Sequence, residues 1–232
     1  MYCLYLKKRT NIVFWYSQKG ACTYVKGLYL RYLGLNILWP HLLPQEGLER
    51  TDMPFNGEVE SPIHVLFIRN PYKRIVSGFL DKLTWKPDFP DNKPLPNLNY
   101  GVDSEWSFED FVTNLSEHPV FNDNHFTPQL SKAYDPAIQF DKIFDIENID
   151  REYLNNLFQT TAEEPEHQGY FSMYKPYNGE KPAYKLTINE INKLDYKPEY
   201  HEFYSPEIKS KVAEIFADDF QYFKSVGFNY DA

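Results

Sequence analysis

The chain contains few cysteines and no long apolar run. Cys3 lies in a strand-like run and Cys22 in a polar segment, and they are the only two cysteines among 232 residues. This pattern does not indicate a disulfide framework, and reduced thiols in a cytoplasm fit it better. No apolar run reaches the roughly 18–20 residues that span a bilayer, and the early charges are not arranged as in a signal peptide. The sequence therefore predicts a soluble cytoplasmic protein without a membrane span.

Acidic residues are missing from the first 45 residues, which carry six lysines and arginines. All 33 acidic residues come later, and the formal net charge of the chain is −9. This negative balance argues against general nucleic-acid binding. A basic segment in an acidic protein could hold a small anion, although chance composition at a surface edge would give the same pattern.

Short buried strands alternate with amphipathic helices along the chain, without internal repeats or low-complexity tracts. This alternation predicts an α/β fold, a three-layer sandwich in which helices cover both faces of a mostly parallel sheet. The length and the 42% hydrophobic share suit a single domain over residues 1–232. The predicted strands are 11–17, 35–40, 63–70 and 141–149, the predicted helices are 23–34, 71–85, 150–158 and 205 to about 223, capping boxes begin at Ser107 and Thr187, and long loops cover 41–61, 86–102 and 161–185.

The first strand-to-helix junction has the composition of an anion cradle. Ligands of parallel sheets bind at the carboxyl ends of the strands, which makes such junctions the best candidates for a site. Lys19 offers a cation and Thr23 a hydroxyl, while the helix start offers backbone N–H donors. The small residues between them, Gly20, Ala21 and Cys22, let the backbone approach a ligand. The junction predicts a phosphate or sulfate site, and the alternative is an ordinary turn with Lys19 in solvent.

A P-loop, G-x-x-x-x-G-K-[ST], does not fit this junction. No glycine precedes Lys19 at the required distance, and no hydroxyl follows it directly. The sequence also shows no convincing magnesium-binding aspartate at a strand end, although Asp145 could be assigned that role. A nucleotide kinase is therefore the weaker interpretation.

The second junction contains two arginines and a serine. Arg69 stands at a strand exit, Arg74 follows in the helix, and Ser77 comes eight residues after Arg69. A guanidinium and a hydroxyl in this arrangement can hold one phosphate from two sides. The alternatives are an arginine paired with an acid and a serine that only packs.

Together the two junctions resemble the motifs of the sulfotransferases, most closely the Golgi-type carbohydrate sulfotransferase family and its bacterial relatives. The first motif of that family, Pro-Lys-x-Gly-Cys/Ser-Thr, is similar to "QKGACT" (18–23), and its second, Arg-Asp/Asn-Pro-x-x-Arg-x-x-Ser, to "RNPYKRIVS" (69–77). Gln18 replaces the usual proline, and Gly20 and Ala21 exchange the expected order. Weaker similarity covers "HFTPQ" (125–129), "FDKIFDIENI" (140–149) and "DDFQYFKSVGF" (218–228).

The resemblance implies a P-loop NTPase-like sulfotransferase fold and a transferase of the EC 2.8.2 class, with 3′-phosphoadenosine 5′-phosphosulfate (PAPS) as donor and no metal. Lys19 would be catalytic, and residues 20–23 would hold the 5′-phosphosulfate. Arg69, Arg74 and Ser77 would bind the 3′-phosphate. The implied acceptor is a hydroxyl or amine of a carbohydrate or similar small molecule.

The acceptor hydroxyl needs a base, usually a histidine or a carboxylate. His41 follows a predicted strand at its carboxyl end and is the first candidate, and His125 in the family-like segment is the second. Carboxylates of the long loops are further alternatives. A non-catalytic module that binds a nucleotide or anion also fits the altered first motif. The sequence identifies neither the acceptor nor the oligomeric state.

Overall fold

A computed structural model describes residues 1–5, 10–35, 49–50, 61–84, 100–130, 138–162 and 174–230. The chain divides into two compact units, one formed by residues 1–69 and 129–167 and the other by residues 70–128 and 168–232. The single domain that the sequence predicts over residues 1–232 stays a prediction.

The first unit contains a five-stranded, mostly parallel sheet. Its strands are β1 (Tyr2–Leu4), β2 (Ile12–Tyr16), β3 (Glu49–Arg50), β4 (Ile63–Ile68) and β5 (Lys142–Asp145), and they lie in the sheet in the order β3-β1-β2-β4-β5. Strands β2, β4 and β5 run parallel to one another, whereas β1 lies antiparallel between β3 and β2. The predicted α/β class and mostly parallel sheet are thus confirmed, and the antiparallel strand is an addition to them.

Aromatic side chains of the first unit pack on one face of this sheet. Phe14 on β2 lies with its ring centroid 4.7 Å from that of Phe67 on β4 and 5.0 Å from that of Tyr29. Tyr29 belongs to helix α1 (Cys22–Tyr32), and helix α4 (Arg151–Phe158) contributes Phe158 to the same core. The predicted end of the first helix is also confirmed, because Gly34 adopts a φ of 68° directly after it.

The second unit is built mainly from helices around a phenylalanine-rich core. Phe79, Phe108, Phe111 and Phe203 are all fully buried there. Its elements are α2 (Pro71–Lys82), α3 (Phe108–Asn114), α5 (Ile188–Ile191), α6 (Pro206–Ile215), α7 (Ala217–Ser225), the two-stranded sheet of β6 (Tyr174–Lys175) and β7 (Lys197–Pro198), and 3₁₀ helices at Leu115–Glu117, Pro119–Asn122, Ala183–Lys185 and Tyr200–Phe203.

Both predicted capping boxes are present, at Ser107 and at Thr187. The single helix predicted from residue 205 is instead two helices, α6 and α7, separated at Phe216. Phe216 departs from helical geometry with φ −108° and ψ 27°, and its ring is buried. The apolar spacing continues through the break, so periodicity alone could not reveal it.

Three predicted segments fall largely outside the described residues: the strand at 35–40 and the loops at 41–61 and 86–102. Where the predicted loops are described, they include short strands. β3 lies in the first of them, and β6 lies in the loop predicted at 161–185. Among the helices that the structure describes, none is long and apolar enough to cross a membrane.

Candidate active site

The turn that follows β2 is tight, and it leaves little space for a side chain at Gly20. The Gly20 N–H donates to the carbonyl of Ser17 at 3.2 Å. A Cβ atom added to Gly20 would lie 3.0 Å from Ser17 Oγ and 3.1 Å from Ser17 O. Gly20, which stands one position earlier than the glycine of the family motif, therefore occupies a position where a Cβ atom would make unusually tight contacts with Ser17.

Two other residues of this turn adopt left-handed backbone conformations. Lys19 has a φ of 58°, and Ala21 has a φ of 55° and a ψ of 37°. A left-handed residue next to right-handed helical ones turns successive N–H groups to one side, which forms a concavity for anions. Ala21 is the N-cap of α1 and provides no side-chain cap. The turn thus presents the backbone donors of an anion cradle, with Thr23 exposed in the first helical turn.

The end of β4 brings Arg69 against this turn. β2 and β4 pair in parallel, with Trp15 opposite Leu66, so their carboxyl ends lie at the same edge of the sheet. Arg69 Nη1 donates to the carbonyl of Lys19 at 3.0 Å. Lys19 and Arg69, which two different motifs identified as candidates, therefore lie next to each other.

Gln129 joins the ends of both strands, and sequence reasoning gave it no role. Its Oε1 accepts from the Arg69 N–H at 3.0 Å and from the Ser17 hydroxyl at 3.3 Å, while its Nε2 donates to the Arg69 carbonyl at 2.7 Å. The side chain is 3% exposed. The available signal was its place as the last residue of the family-like segment 125–129.

Lys26 is a further basic residue that the sequence reasoning left without a role. It lies on α1 three residues after Thr23 and is buried, with Nζ 5.7 Å from the ring centroid of Tyr16. Because Lys26 is a buried cation only three residues after the cradle, it favours the binding of anions over cations in this part of the first unit.

Asp145 lies at the end of β5, and its carboxylate and its carbonyl both accept hydrogen bonds within a turn. Its carboxylate accepts from the Glu147 N–H at 2.9 Å, and its carbonyl accepts from the Asn148 N–H at 2.9 Å. The described residues include no group of three or more His, Cys, Asp or Glu side chains that could hold a metal ion.

Arg74 and Ser77 both lie on α2 in the second unit. The Arg74 guanidinium donates to the carbonyls of Thr127 at 2.7 Å and Asn124 at 3.0 Å, and the residue is 1% exposed. These bonds hold the segment that precedes Gln129. They favour a positioning role for Arg74, whose contact with a phosphate stays a prediction, as does that of the half-buried Ser77.

Helix α2 approaches the same segment closely at Gly78. A Cβ atom at that position would lie 3.0 Å from Phe126 Cε1 and 3.3 Å from the carbonyl oxygen of His125. Phe126 is fully buried, and its ring centroid lies 5.2 Å from that of Phe111. The backbone that carries His125 is therefore fixed by packing against α2 and by the two bonds from Arg74.

His125 contacts a carboxylate, which the sequence reasoning did not predict. Its Nδ1 lies within hydrogen-bonding distance of Asp123 Oδ1, and its backbone N–H donates to the same oxygen at 2.8 Å. Burial alone would raise the pKa of Asp123, but hydrogen bonds from His125 and Tyr100 outweigh it and lower that pKa. His41, the other histidine candidate, lies outside the described residues.

Comparison with protein-family models matches residues 4–228 to the sulfotransferase family. No curated protein and no solved structure matches. The family match covers nearly the whole chain and includes both junctions, "HFTPQ" and the strand of Asp145. It confirms the resemblance inferred from the motifs: the chain belongs to the sulfotransferase family.

Proposed function

We propose that the chain transfers a sulfuryl group from PAPS to a hydroxyl or amine of a carbohydrate or similar acceptor. The observation that carries this proposal is the bond between Arg69 Nη1 and the Lys19 carbonyl, at 3.0 Å. It joins the two junctions whose motifs resemble the donor-binding motifs of the family. We further propose a three-layer, P-loop NTPase-like sulfotransferase fold in which residues 1–232 act as one domain.

Lys19 would stabilise the charge that grows on the bridging oxygen as the bond between sulfur and that oxygen breaks. A cation placed there in advance stabilises the transition state more than the ground state. The N–H groups of residues 20–23 and the Thr23 hydroxyl would bind the nonbridging oxygens. The left-handed Ala21 supports this role because it turns the N–H groups at the start of α1 to one side.

Arg69 would bind the 3′-phosphate of the donor and thereby position the donor for in-line attack. A guanidinium has five N–H donors, so the bond from Arg69 to the Lys19 carbonyl is compatible with a phosphate contact. Gln129 would fix the Arg69 backbone on both sides. Arg74 would hold the segment between Asn124 and Thr127, and its contact with the 3′-phosphate stays a prediction.

A thermal-shift comparison tests the donor. Adenosine 3′,5′-bisphosphate, the desulfated donor product, is expected to stabilise the chain, whereas ATP with Mg²⁺ is not. Stabilisation by ATP with Mg²⁺ alone would favour the nucleotide kinase. Binding of the bisphosphate without transfer of labelled sulfate to any sugar or small molecule of a panel would favour the non-catalytic module.

Lys19→Ala tests the mechanism. We expect this variant to lose transfer while it keeps its fold by circular dichroism, because the leaving-group cation is removed. Lys193→Ala, at an exposed lysine, is the matched control and should retain activity. Wild-type turnover in Lys19→Ala would refute the mechanism even if the donor is correct.

A further inference from the structure

We propose that a cavity of the second unit binds a saccharide that carries an anionic group, a sulfate ester or a carboxylate. The choice of a saccharide rests on the proposed function, which gives the chain a carbohydrate acceptor. Every residue involved belongs to residues 70–128 or 168–232, so the second unit alone forms this site. None of these residues is assigned a role in the chemical step.

The cavity lies between the start of α2 and the first turns of α6. Its volume is about 500 Å³, which is within the usual range of small-molecule sites and more than an inorganic sulfate would fill. The lining combines aromatic rings with hydroxyls and one ammonium group, from Tyr72, Tyr204, Ser205, Pro206, Lys209 and Ser210.

Two tyrosine rings form walls that are fixed before any ligand binds. The Tyr204 hydroxyl donates to the carbonyl of Tyr72 at 2.7 Å. Burial raises the pKa of Tyr204 well above its ordinary value, so the phenol keeps its hydrogen and this bond. The ring of Tyr72 packs in turn on that of Phe220, with 4.9 Å between the ring centroids. Walls held in this way reduce the free energy that a ligand loses to ordering the site.

The two tyrosine rings meet at a corner. Their planes lie at 84° to each other, with 5.4 Å between the centroids of Tyr72 and Tyr204. A planar nucleobase stacks best in a slot between parallel rings, which these two rings do not form. A puckered sugar ring instead presents C–H groups to the face of one aromatic ring and hydroxyls at its own edge. The corner therefore favours a saccharide over a nucleobase.

Lys209 supplies the charge that selects an anionic saccharide. The residue is half-buried, and within the described part of the chain it has no ion pair. A partner on its own helix would stand three or four residues away, where the sequence has only Ser205, Pro206, Val212 and Ala213. An ammonium group that lines a cavity without a carboxylate partner favours an anion there.

The charges next to this cavity also favour an anion. Lys73 follows Tyr72 directly, and its Nζ lies 4.8 Å from the ring centroid of Tyr200. The acid closest along the chain to Lys209 is Glu207, which is exposed and does not line the cavity. Hydrogen bonds from its own backbone N–H and from the Ser205 hydroxyl lower the pKa of Glu207 and hold its carboxylate at the start of α6.

A saccharide satisfies the whole lining, whereas simpler ligands satisfy only part of it. An apolar ligand would cover Lys209 and Ser210 without giving their polar groups a partner. Inorganic sulfate would pair with Lys209 but leave the tyrosine walls uncovered. In an anionic saccharide, the C–H groups cover an aromatic wall, a hydroxyl can bond to the exposed Ser210, and the anionic group pairs with Lys209.

Nuclear magnetic resonance titration of the full chain with ¹³C-labelled tyrosine rings tests the ligand class. The probes are N-acetylglucosamine 6-sulfate and glucuronic acid, compared with neutral N-acetylglucosamine and with inorganic sulfate. We expect at least one anionic sugar to shift the signal of Tyr204, assigned from the spectrum of Tyr204→Phe, and to bind about tenfold more tightly than either comparison ligand. Binding of neither anionic sugar, or equal affinity for the neutral sugar or for sulfate, would overturn the proposal.

Lys209→Gln tests the cation, with Lys211→Gln as the matched control. Both lysines lie on α6, but Lys211 does not line the cavity, and its Nζ is 3.2 Å from Glu214 Oε2. Lys209→Gln should lower the affinity for the anionic sugar about tenfold, the lower end for a hydrogen bond to a charged group. Lys211→Gln should leave that affinity unchanged. Equal losses in both variants would show that net charge, rather than the cavity, attracts the sugar.

Calorimetry with adenosine 3′,5′-bisphosphate separates failure at this cavity from failure of the proposed function. Lys209→Gln should bind the bisphosphate as the wild type does, because Lys209 has no assigned contact with the donor. Bisphosphate binding and sulfate transfer in a chain that binds neither anionic sugar would overturn the saccharide site and leave the proposed function standing. A wild type that binds the anionic sugar but not the bisphosphate would instead refute the donor assignment and support the saccharide site.

Discussion

Gln129→Ala removes the side chain that connects the ends of β2 and β4, and it is expected to weaken both folding and donor binding. Three hydrogen bonds disappear: two to the backbone of Arg69 and one from the Ser17 hydroxyl. Because Gln129 is buried, water cannot simply replace the lost partners at no cost. The Arg69 backbone, and with it the guanidinium, would lose its fixed position.

The magnitude follows from the number of bonds. At about 1 kcal/mol for each hydrogen bond, the free energy of unfolding should fall by about 3 kcal/mol. For a chain of this size such a loss lowers Tm by about 6–12 °C. Affinity for adenosine 3′,5′-bisphosphate should fall by about tenfold or more, since tenfold corresponds to only about 1.4 kcal/mol.

Urea denaturation and isothermal titration calorimetry measure the two effects. Gln139→Ala is the matched control, because Gln139 is an exposed glutamine of the same unit. Surface substitutions of this kind usually change stability by no more than about 0.5 kcal/mol. If Gln129→Ala proved as stable as Gln139→Ala and bound the bisphosphate equally well, Gln129 would not organise the candidate site.

Three other substitutions test separate parts of the site. Arg69→Ala should weaken bisphosphate binding in calorimetry by about 2–3 kcal/mol, as for a lost hydrogen bond to a charged group, and a change below about 0.5 kcal/mol would contradict its role. Gly78→Ala should lower stability to urea by about 1–3 kcal/mol, because its Cβ would lie 3.0 Å from Phe126 Cε1 and 3.3 Å from His125 O; helix propensity alone would instead raise stability. Ala21→Gly should raise stability by about 0.5–1 kcal/mol because it relieves a left-handed alanine, and a loss would show that the strain is negligible.

Local signals in the sequence were enough to predict the main elements of both units. Buried apolar runs identified β2, β4 and β5, and Asn70 before Pro71 marks the start of α2 with a side chain that accepts from the Tyr72 N–H at 2.9 Å. The short strands β3 and β6 were not predicted, because two residues carry no measurable periodicity. The break at Phe216 was missed for a related reason, since apolar spacing does not depend on one residue's φ and ψ.

The residues of the site were predictable where a motif combined charge with small residues. Lys19 and Arg69 were nominated separately, and their contact follows from the parallel pairing of β2 with β4. Gln129 and Asp123 were missed because their roles depend on contacts that spacing does not encode. The one signal for Gln129 is its place at the end of the family-like segment 125–129, and that place does not reveal its bonds to the backbone of Arg69.

Strain in the turn after β2 supports its assignment as an anion cradle. Left-handed conformations at Lys19 and Ala21 cost about 1–2 kcal/mol each for residues with a Cβ atom. They persist because neighbours fix them: the Lys19 carbonyl accepts from Arg69, and the Ala21 carbonyl accepts from the Val25 N–H at 3.0 Å. Such strain concentrates at functional sites, where it holds donors in place before the ligand arrives. Because the donors are already in place, a ligand spends less of its binding free energy on ordering the loop. The ligand that such a turn favours is an anion that accepts hydrogen bonds from these N–H groups.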